Sequence, residues 1–229
     1  MNAPGPVLQP PTSAWSMYRA IVGIGALCAL LIVTVYQTTA ARIRENQERF
    51  LALAVAQVLP AAQSTVPVEL TEEGRLRAAG ESPTLPVFLG YGADGNLVGA
   101  VVTAQGMGYQ DNIRVLYAYS FELNAIVGFK VLDSKETPGL GDKIEKEPHF
   151  IANFEKLEAA LTAAGDALLH PIVTVKQGEK EEPWQIDGIT GATITSEALG
   201  NILNDSANIW APVLERDAQL IEKVQGEEQ

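Results

Sequence analysis

The 229-residue chain is 47% hydrophobic and carries a formal net charge of −12. That suits one membrane segment plus one globular domain, and it argues against a nucleic-acid partner, because no basic patch exists to neutralise phosphates. The single cysteine, Cys28, excludes disulfides within the chain, thiolate zinc sites and cysteine-ligated iron–sulfur clusters, and His149 and His170 do not by themselves make a metal site.

Residues 1–19 read as a disordered tail, Pro-rich and aperiodic as far as Ser13. Ala20 to Ala41 is an uncharged, largely apolar run of 22 residues. At about 1.5 Å per residue it crosses a hydrocarbon core of roughly 30 Å, so 20–41 is a single transmembrane helix. Trp15, Tyr18 and Tyr36 fall near the two interfaces. The length of the run and the single Arg19 ahead of it disfavour a cleaved signal peptide. Arg42, Arg44 and Arg49 follow the run, so counting basic residues places the large domain in the cytoplasm. Over 42–60, Ile43, Phe50, Leu51, Ala54, Val55 and Val58 recur at helical spacing until Pro60 stops them, which predicts a juxtamembrane amphipathic helix. Residues 61–229 form the domain.

Pro67 to Pro86 reads as a connection with one short strand. Two hairpins follow. Val87–Tyr91 and Leu97–Val102 flank the turn signal Ala93-Asp94-Gly95-Asn96, and Ile113–Tyr119 and Ile126–Leu132 flank Phe121-Glu122-Leu123-Asn124. Leu97-Val98-Gly99 and Ile126-Val127-Gly128 correspond at an offset of 29, a weak ββ repeat. Glycines inside strands predict bulges or the close approach of another backbone. Glu145 to Leu169 reads as largely helical, with Phe150, Phe154, Leu157, Leu161 and Leu168 as core contacts. Pro171–Lys176 and Trp184–Ile186 read as strands, and Ser196 to about Val224 as helix. The fold class is α+β: one N-terminal transmembrane helix, then an antiparallel sheet packed by helices.

Two segments carry chemistry. Asp187-Gly188-Ile189-Thr190-Gly191-Ala192-Thr193-Ile194-Thr195-Ser196 packs small residues and hydroxyls ahead of a helix that Ser196 or Thr195 can cap. Gly188 and Gly191 let the backbone approach a bulky group, and a helix N-terminus there favours a phosphate. The second segment, Glu136-Thr137-Pro138-Gly139-Leu140-Gly141-Asp142-Lys143-Ile144, is on propensity alone a turn that closes a strand.

In this order and at this separation, the two segments resemble the covalent-FMN domain of the G-type subunit of the Rnf electron transport complex. The related C-type subunit of the sodium-translocating NADH:quinone reductase is similar. Thr39, Ile43, Glu45 and Asn46 resemble the start of the Rnf G-type subunit. The resemblance makes 61–229 a covalent-FMN-binding domain, with FMN attached through its phosphate to Thr193 by a flavin transferase that uses FAD. Asp187, Gly188, Thr190, Gly191, Ala192, Thr195 and Ser196 then complete the attachment region. Glu136, Thr137, Pro138, Gly139, Leu140 and Gly141 form the loop beside the isoalloxazine ring. Relatives often carry a His two residues before this Glu; here it is Ser134. No residue is expected to act as acid, base or nucleophile during turnover, because the redox chemistry is the cofactor's.

The resemblance further implies a single-pass protein of the bacterial inner membrane with its flavin domain on the periplasmic side, opposite to the basic-residue count. It implies a redox subunit, not catalytic alone, of a translocase that couples ferredoxin/NAD electron transfer to Na+ or H+ movement. Its partners would be other membrane subunits, including a second covalent-flavin subunit and an iron–sulfur subunit, together with membrane lipid. Other readings are a C-type subunit of the quinone reductase, a stand-alone FMN-binding membrane carrier, and a membrane-tethered binding module without cofactor.

Overall fold

An unbroken α-helix of 45 residues, α1 (Ala14–Val58), opens the chain. The computed structural model describes residues 14–71, 74–79 and 86–226, and the chain divides into two units, Met1–Phe50 and Leu51–Gln229. In the first unit the apolar side chains of α1 lie open, Ile21 and Leu30 among them. Thr38 and Thr39 return their hydroxyls to the Thr34 and Val35 carbonyls at 2.9 and 2.8 Å, so neither adds an unmet polar group to the run. Among the described residues, α1 is long and apolar enough to cross a membrane. Ala14 to Arg19, which fall within the tail expected over 1–19, are helical; residues 1–13 lie outside the described residues. The segments expected at 20–41 and 42–60 are one helix, which ends at Val58, ahead of Pro60.

In the second unit, seven strands form an antiparallel sheet in the order β2-β1-β3-β4-β5-β6-β7. They are β1 (Ser64–Leu70), β2 (Leu76–Ala78), β3 (Val87–Tyr91), β4 (Leu97–Met107), β5 (Asn112–Ser120), β6 (Ala125–Asp133) and β7 (Leu157–Glu158). Both predicted hairpins are present, as β3–β4 and β5–β6. The stretch from Pro67 holds parts of two strands, not one: β1 begins ahead of it and pairs with both β2 and β3.

Both faces of the sheet are covered, which is why β4 and β5 read as near-continuous apolar runs instead of alternating ones. Ile113, Val115, Tyr117 and Tyr119 of β5 join the larger core with Leu199 and Leu203 of the C-terminal helix α3 (Thr193–Gly226). Leu116 and Ala118 point the other way, into a second cluster with Ala54, Val55, Val58 and Leu59 at the end of α1. The repeated glycines serve this second face. A Cβ on Gly128 would stand 2.0 Å from the Val58 carbonyl oxygen, and one on Gly99 would meet Leu59 at 3.2 Å and the Tyr119 carbonyl at 2.6 Å. The close approach of another backbone that strand glycines predict is here the last turn of α1.

The helix expected over Glu145–Leu169 is not there. A 3-10 segment (Gly141–Glu145), the short helix α2 (Pro148–Ala152), a second 3-10 turn (Asn153–Glu155) and then β7 replace it. Asn153 competes with helix continuation by donating from Nδ2 to the Phe150 carbonyl at 3.0 Å. Farther on, Thr162 to Ala167 reverses direction: Thr162 N–H donates to the Ala167 carbonyl at 2.9 Å and Gly165 takes φ +70°. Ala163 and Ala164 sit within this turn. Of the last strands, β8 (Val173–Val175) is shorter than the expected Pro171–Lys176, and β9 (Gln185–Asp187) lies one residue beyond the expected Trp184–Ile186. They pair in parallel as a separate two-stranded sheet.

One titration follows from the packing of α3. Glu215 accepts a hydrogen bond from the Tyr119 hydroxyl at 3.2 Å. Burial raises the Glu215 carboxyl above its ordinary range, and the Tyr119 bond offsets this in part. The folded state therefore holds the proton more tightly than the unfolded chain, so stability falls as pH rises through the raised value. Glu215→Gln keeps an acceptor for Tyr119 without the charge. Melting curves are expected to show it stabilised relative to the parent at pH 7 and equal to it well below the ordinary Glu range.

Candidate functional site

The two segments singled out in the sequence meet at one cleft. Glu136 leaves β6 and turns inward, 6% exposed. Its Oε1 accepts the Gln110 N–H at 2.9 Å and its Oε2 accepts the Thr195 hydroxyl at 2.8 Å, across 59 residues of chain. Gly141 passes directly over this pair, where a Cβ would lie 2.5 Å from the carboxylate and 2.9 Å from the Thr195 oxygen. The intervening loop is braced at both ends. Thr137 donates its hydroxyl to Gln110 Oε1 at 2.9 Å, and the Gly139 N–H donates to Asp142 Oδ1 at 2.6 Å. Gly139 adopts φ +79°. The Lys146 ammonium beside Asp142, at 2.6 Å, is the main cause holding that carboxyl below its usual range.

On the opposite wall, β9 delivers Asp187 and Gly188. The Asp187 carboxylate accepts the Gly178 N–H at 2.6 Å and closes the charged loop. Asn153 brackets its backbone, donating to the Asp187 carbonyl at 3.1 Å and accepting its N–H at 3.0 Å. The same Asn153 oxygen accepts from the Lys180 ammonium at 3.1 Å; burial lowers the Lys180 pKa and the Asp187 charge partly restores it. Gly188 packs on β8, where a Cβ would come 2.7 Å from the Val175 carbonyl. Its missing side chain therefore serves strand pairing. His149 sits on α2 with Nε2 3.3 Å from the Gly188 carbonyl.

From there a turn of Ile189 to Ala192, with Gly191 at φ +82°, feeds α3, which starts at Thr193. Ser196 is not its cap. Fully buried, it donates to the Ala192 carbonyl at 2.9 Å and accepts the Ile189 N–H at 3.3 Å, fastening the turn from within. Thr195 is also inside the helix, 3% exposed and committed to Glu136. Thr193 and Thr190 are exposed.

Between the walls lies a cleft of about 310 Å3 lined by Thr137, Leu140, Gly141, Gly191, Ala192, Thr193, Ile194, Thr195 and Tyr109. A second hollow of about 350 Å3 lies on the other side of Thr193, against Lys176, Gln177, Gly188, Thr190 and Ser196. Thr193 is thus the shared edge. Of the residues expected at the site, Pro138, Gly139 and Asp187 line neither hollow, and Glu136 supports the first from behind. A groove of about 500 Å3 between β4 and α3 is larger, and it meets the first cleft at Ile194. Tyr109 and Gln110 were not singled out by the motif reading. The paired glycines Gly106 and Gly108 ahead of an aromatic are the signal that marks them.

Chemically, the first cleft offers a free hydroxyl at a helix start, apolar cover from Leu140 and Ile194, an aromatic edge from Tyr109, and glycines that keep its walls close. This lining fits a flavin mononucleotide: a phosphate at the helix end and a flat heteroaromatic ring against the loop. A family profile described as an FMN-binding domain matches residues 108–208. Fold, cleft and profile together define an FMN-binding domain preceded by an apolar helix. The chain is 31% identical over 191 residues to the G-type subunit of the ion-translocating oxidoreductase complex of Methanosarcina acetivorans, covering 82% of this chain and 89% of that one. It is 30% identical over 195 residues to the G-type subunit of the Na(+)-translocating ferredoxin:NAD(+) oxidoreductase complex of Acetobacterium woodii, covering 83% and 87%. The chain belongs to this family of G-type subunits. Among solved structures, the C-type subunit of the Na(+)-translocating NADH-quinone reductase from Parabacteroides distasonis shares the fold, with TM-score 0.58 at 21% identity over 76% of this chain and 96% of that one.

Proposed function

We propose that this chain is the membrane-anchored electron relay of an Rnf-type complex, carrying FMN as a phosphoester on Thr193. The supporting observation is the convergence of the two motif segments on one cleft, with the exposed Thr193 hydroxyl at its edge. Of the other nearby threonines, Thr195 has its hydroxyl buried and engaged by Glu136, and Thr190 lines only the second hollow.

Attachment is a phosphoryl transfer. Thr193 Oγ forms the new bond to the flavin phosphate of FAD, the pyrophosphate bond breaks, AMP leaves and the hydroxyl proton goes to a base. A threonine hydroxyl is a weak nucleophile near neutral pH, so a flavin transferase with a divalent cation supplies the activation. Once bound, FMN supplies the electron-transfer chemistry. The chain's own residues then tether it, with Leu140 and Tyr109 covering it and the Glu136–Thr195 bond keeping the two walls together.

In this reading α1 spans the inner membrane once and the flavin domain faces the periplasm. The relay passes electrons among the other membrane and iron–sulfur subunits of a complex that moves Na+ or H+. The chain purified from membranes of its host is expected to show flavin fluorescence in its band after acid denaturation and gel electrophoresis. A dark band contradicts the proposal and leaves a tethered binding module.

A further inference from the structure

We propose that Lys143 is the counter-ion of the phosphodiester on Thr193, and that its charge sets how fast the chain is flavinylated; this rests on the reading above. Lys143 stands in the 3-10 segment directly after the loop motif. Its backbone is pinned from both sides: its N–H donates to the Leu140 carbonyl at 3.2 Å, and its carbonyl accepts from Lys146 and Glu147 at 3.0 and 2.9 Å. The side chain crosses to the other wall. Nζ lies 3.8 Å from the point where a Cβ on Gly191 would stand, over the turn that leads into Thr193.

The neighbouring lysines are spoken for. Lys146 pairs with Asp142 at 2.6 Å and Lys135 with Asp111 at 2.9 Å. Among the described residues, the ammonium of Lys143, itself a residue of intermediate burial, has neither an ion pair nor a side-chain hydrogen bond. Its Nζ lies over the turn that leads into a 34-residue helix, whose N-terminal end favours an anion. A phosphodiester carries one negative charge throughout the physiological pH range, and Thr193 would hold it where the lysine and the helix end converge. Gly191 takes φ +82°, a conformation that favours glycine, and so lets the turn pass within contact of Nζ.

The test uses the full-length chain made without the transferase, then mixed with purified flavin transferase, FAD and Mg2+. Covalent flavin is followed over time on denaturing gels at low and high salt. Lys143→Gln is expected to slow incorporation about tenfold or more, the scale of one charge-assisted contact, and to flatten its salt dependence. Lys143→Arg should stay near the parent rate. Lys156→Gln, at an exposed lysine outside the site, should match the parent, and melting of the flavin-free Lys143→Gln chain should be unchanged, separating charge from structure. Incorporation into Lys143→Gln at the parent rate overturns the proposal. So does slowing by Lys176→Gln alone, which would move the counter-ion to the second hollow. A parent chain that takes up no flavin overturns the Thr193 reading itself and the Lys143 assignment with it.

Discussion

Thr193→Val is expected to yield a folded chain with no covalent flavin. Valine copies the shape of threonine and lacks only the oxygen that would bond to phosphorus. The site is the exposed first residue of α3, where a substitution of this kind changes stability by no more than about 0.5 kcal/mol. Thr195→Val should do the reverse. Its hydroxyl is buried and donates to Glu136, so its loss leaves a buried carboxylate one partner short, at a cost of about 1–3 kcal/mol. Its flavin should remain, at a lower melting temperature. Gel fluorescence and melting curves on both variants separate the two roles, and a fluorescent Thr193→Val band would place the linkage on another residue.

The largest loss of stability is expected from Gly128→Val. The added Cβ would stand 2.0 Å from the Val58 carbonyl oxygen and 2.9 Å from its Cα, so the atoms in the way are backbone and no rotamer change relieves them. The final turn of α1 must lift from the sheet, taking Val55, Val58 and Leu59 out of their cluster with Val101 and Leu116. A destabilisation of about 3 kcal/mol or more follows. Gly95→Ala is the control. It sits in an open turn at φ +77°, and its cost should stay near 1 kcal/mol. Urea unfolding in detergent measures both; equal losses would show that α1 does not depend on the Gly128 contact.

The hairpins and the helix boundary near Pro60 were legible because their signals are local: a turn tetrapeptide, a proline, a period. Gly99 and Gly128 announced a close neighbour, although only the fold could say that it was α1. Glu145–Leu169 misled because Phe150, Phe154, Leu157, Leu161 and Leu168 mimic a helical period. Asn153 and the Thr162–Ala167 turn divert the backbone by side-chain and long-range bonds that a period does not reveal. Ser196 looked like a cap by residue type; the helix start three residues earlier turned it into a buried fastener. At the site, the two motif segments line one cleft. The bond between Glu136 and Thr195, and the reach of Lys143 toward Gly191, depend on chain crossings that spacing alone does not encode.

Tandem mass spectrometry of the peptide carrying Thr190, Thr193 and Thr195, cut from protein matured in its own host, addresses the linkage most directly. The expected spectrum shows that peptide heavier by one FMN less one water, with the added mass localised to residue 193. A peptide of unmodified mass, or one whose flavin resides on Thr190, would contradict the account.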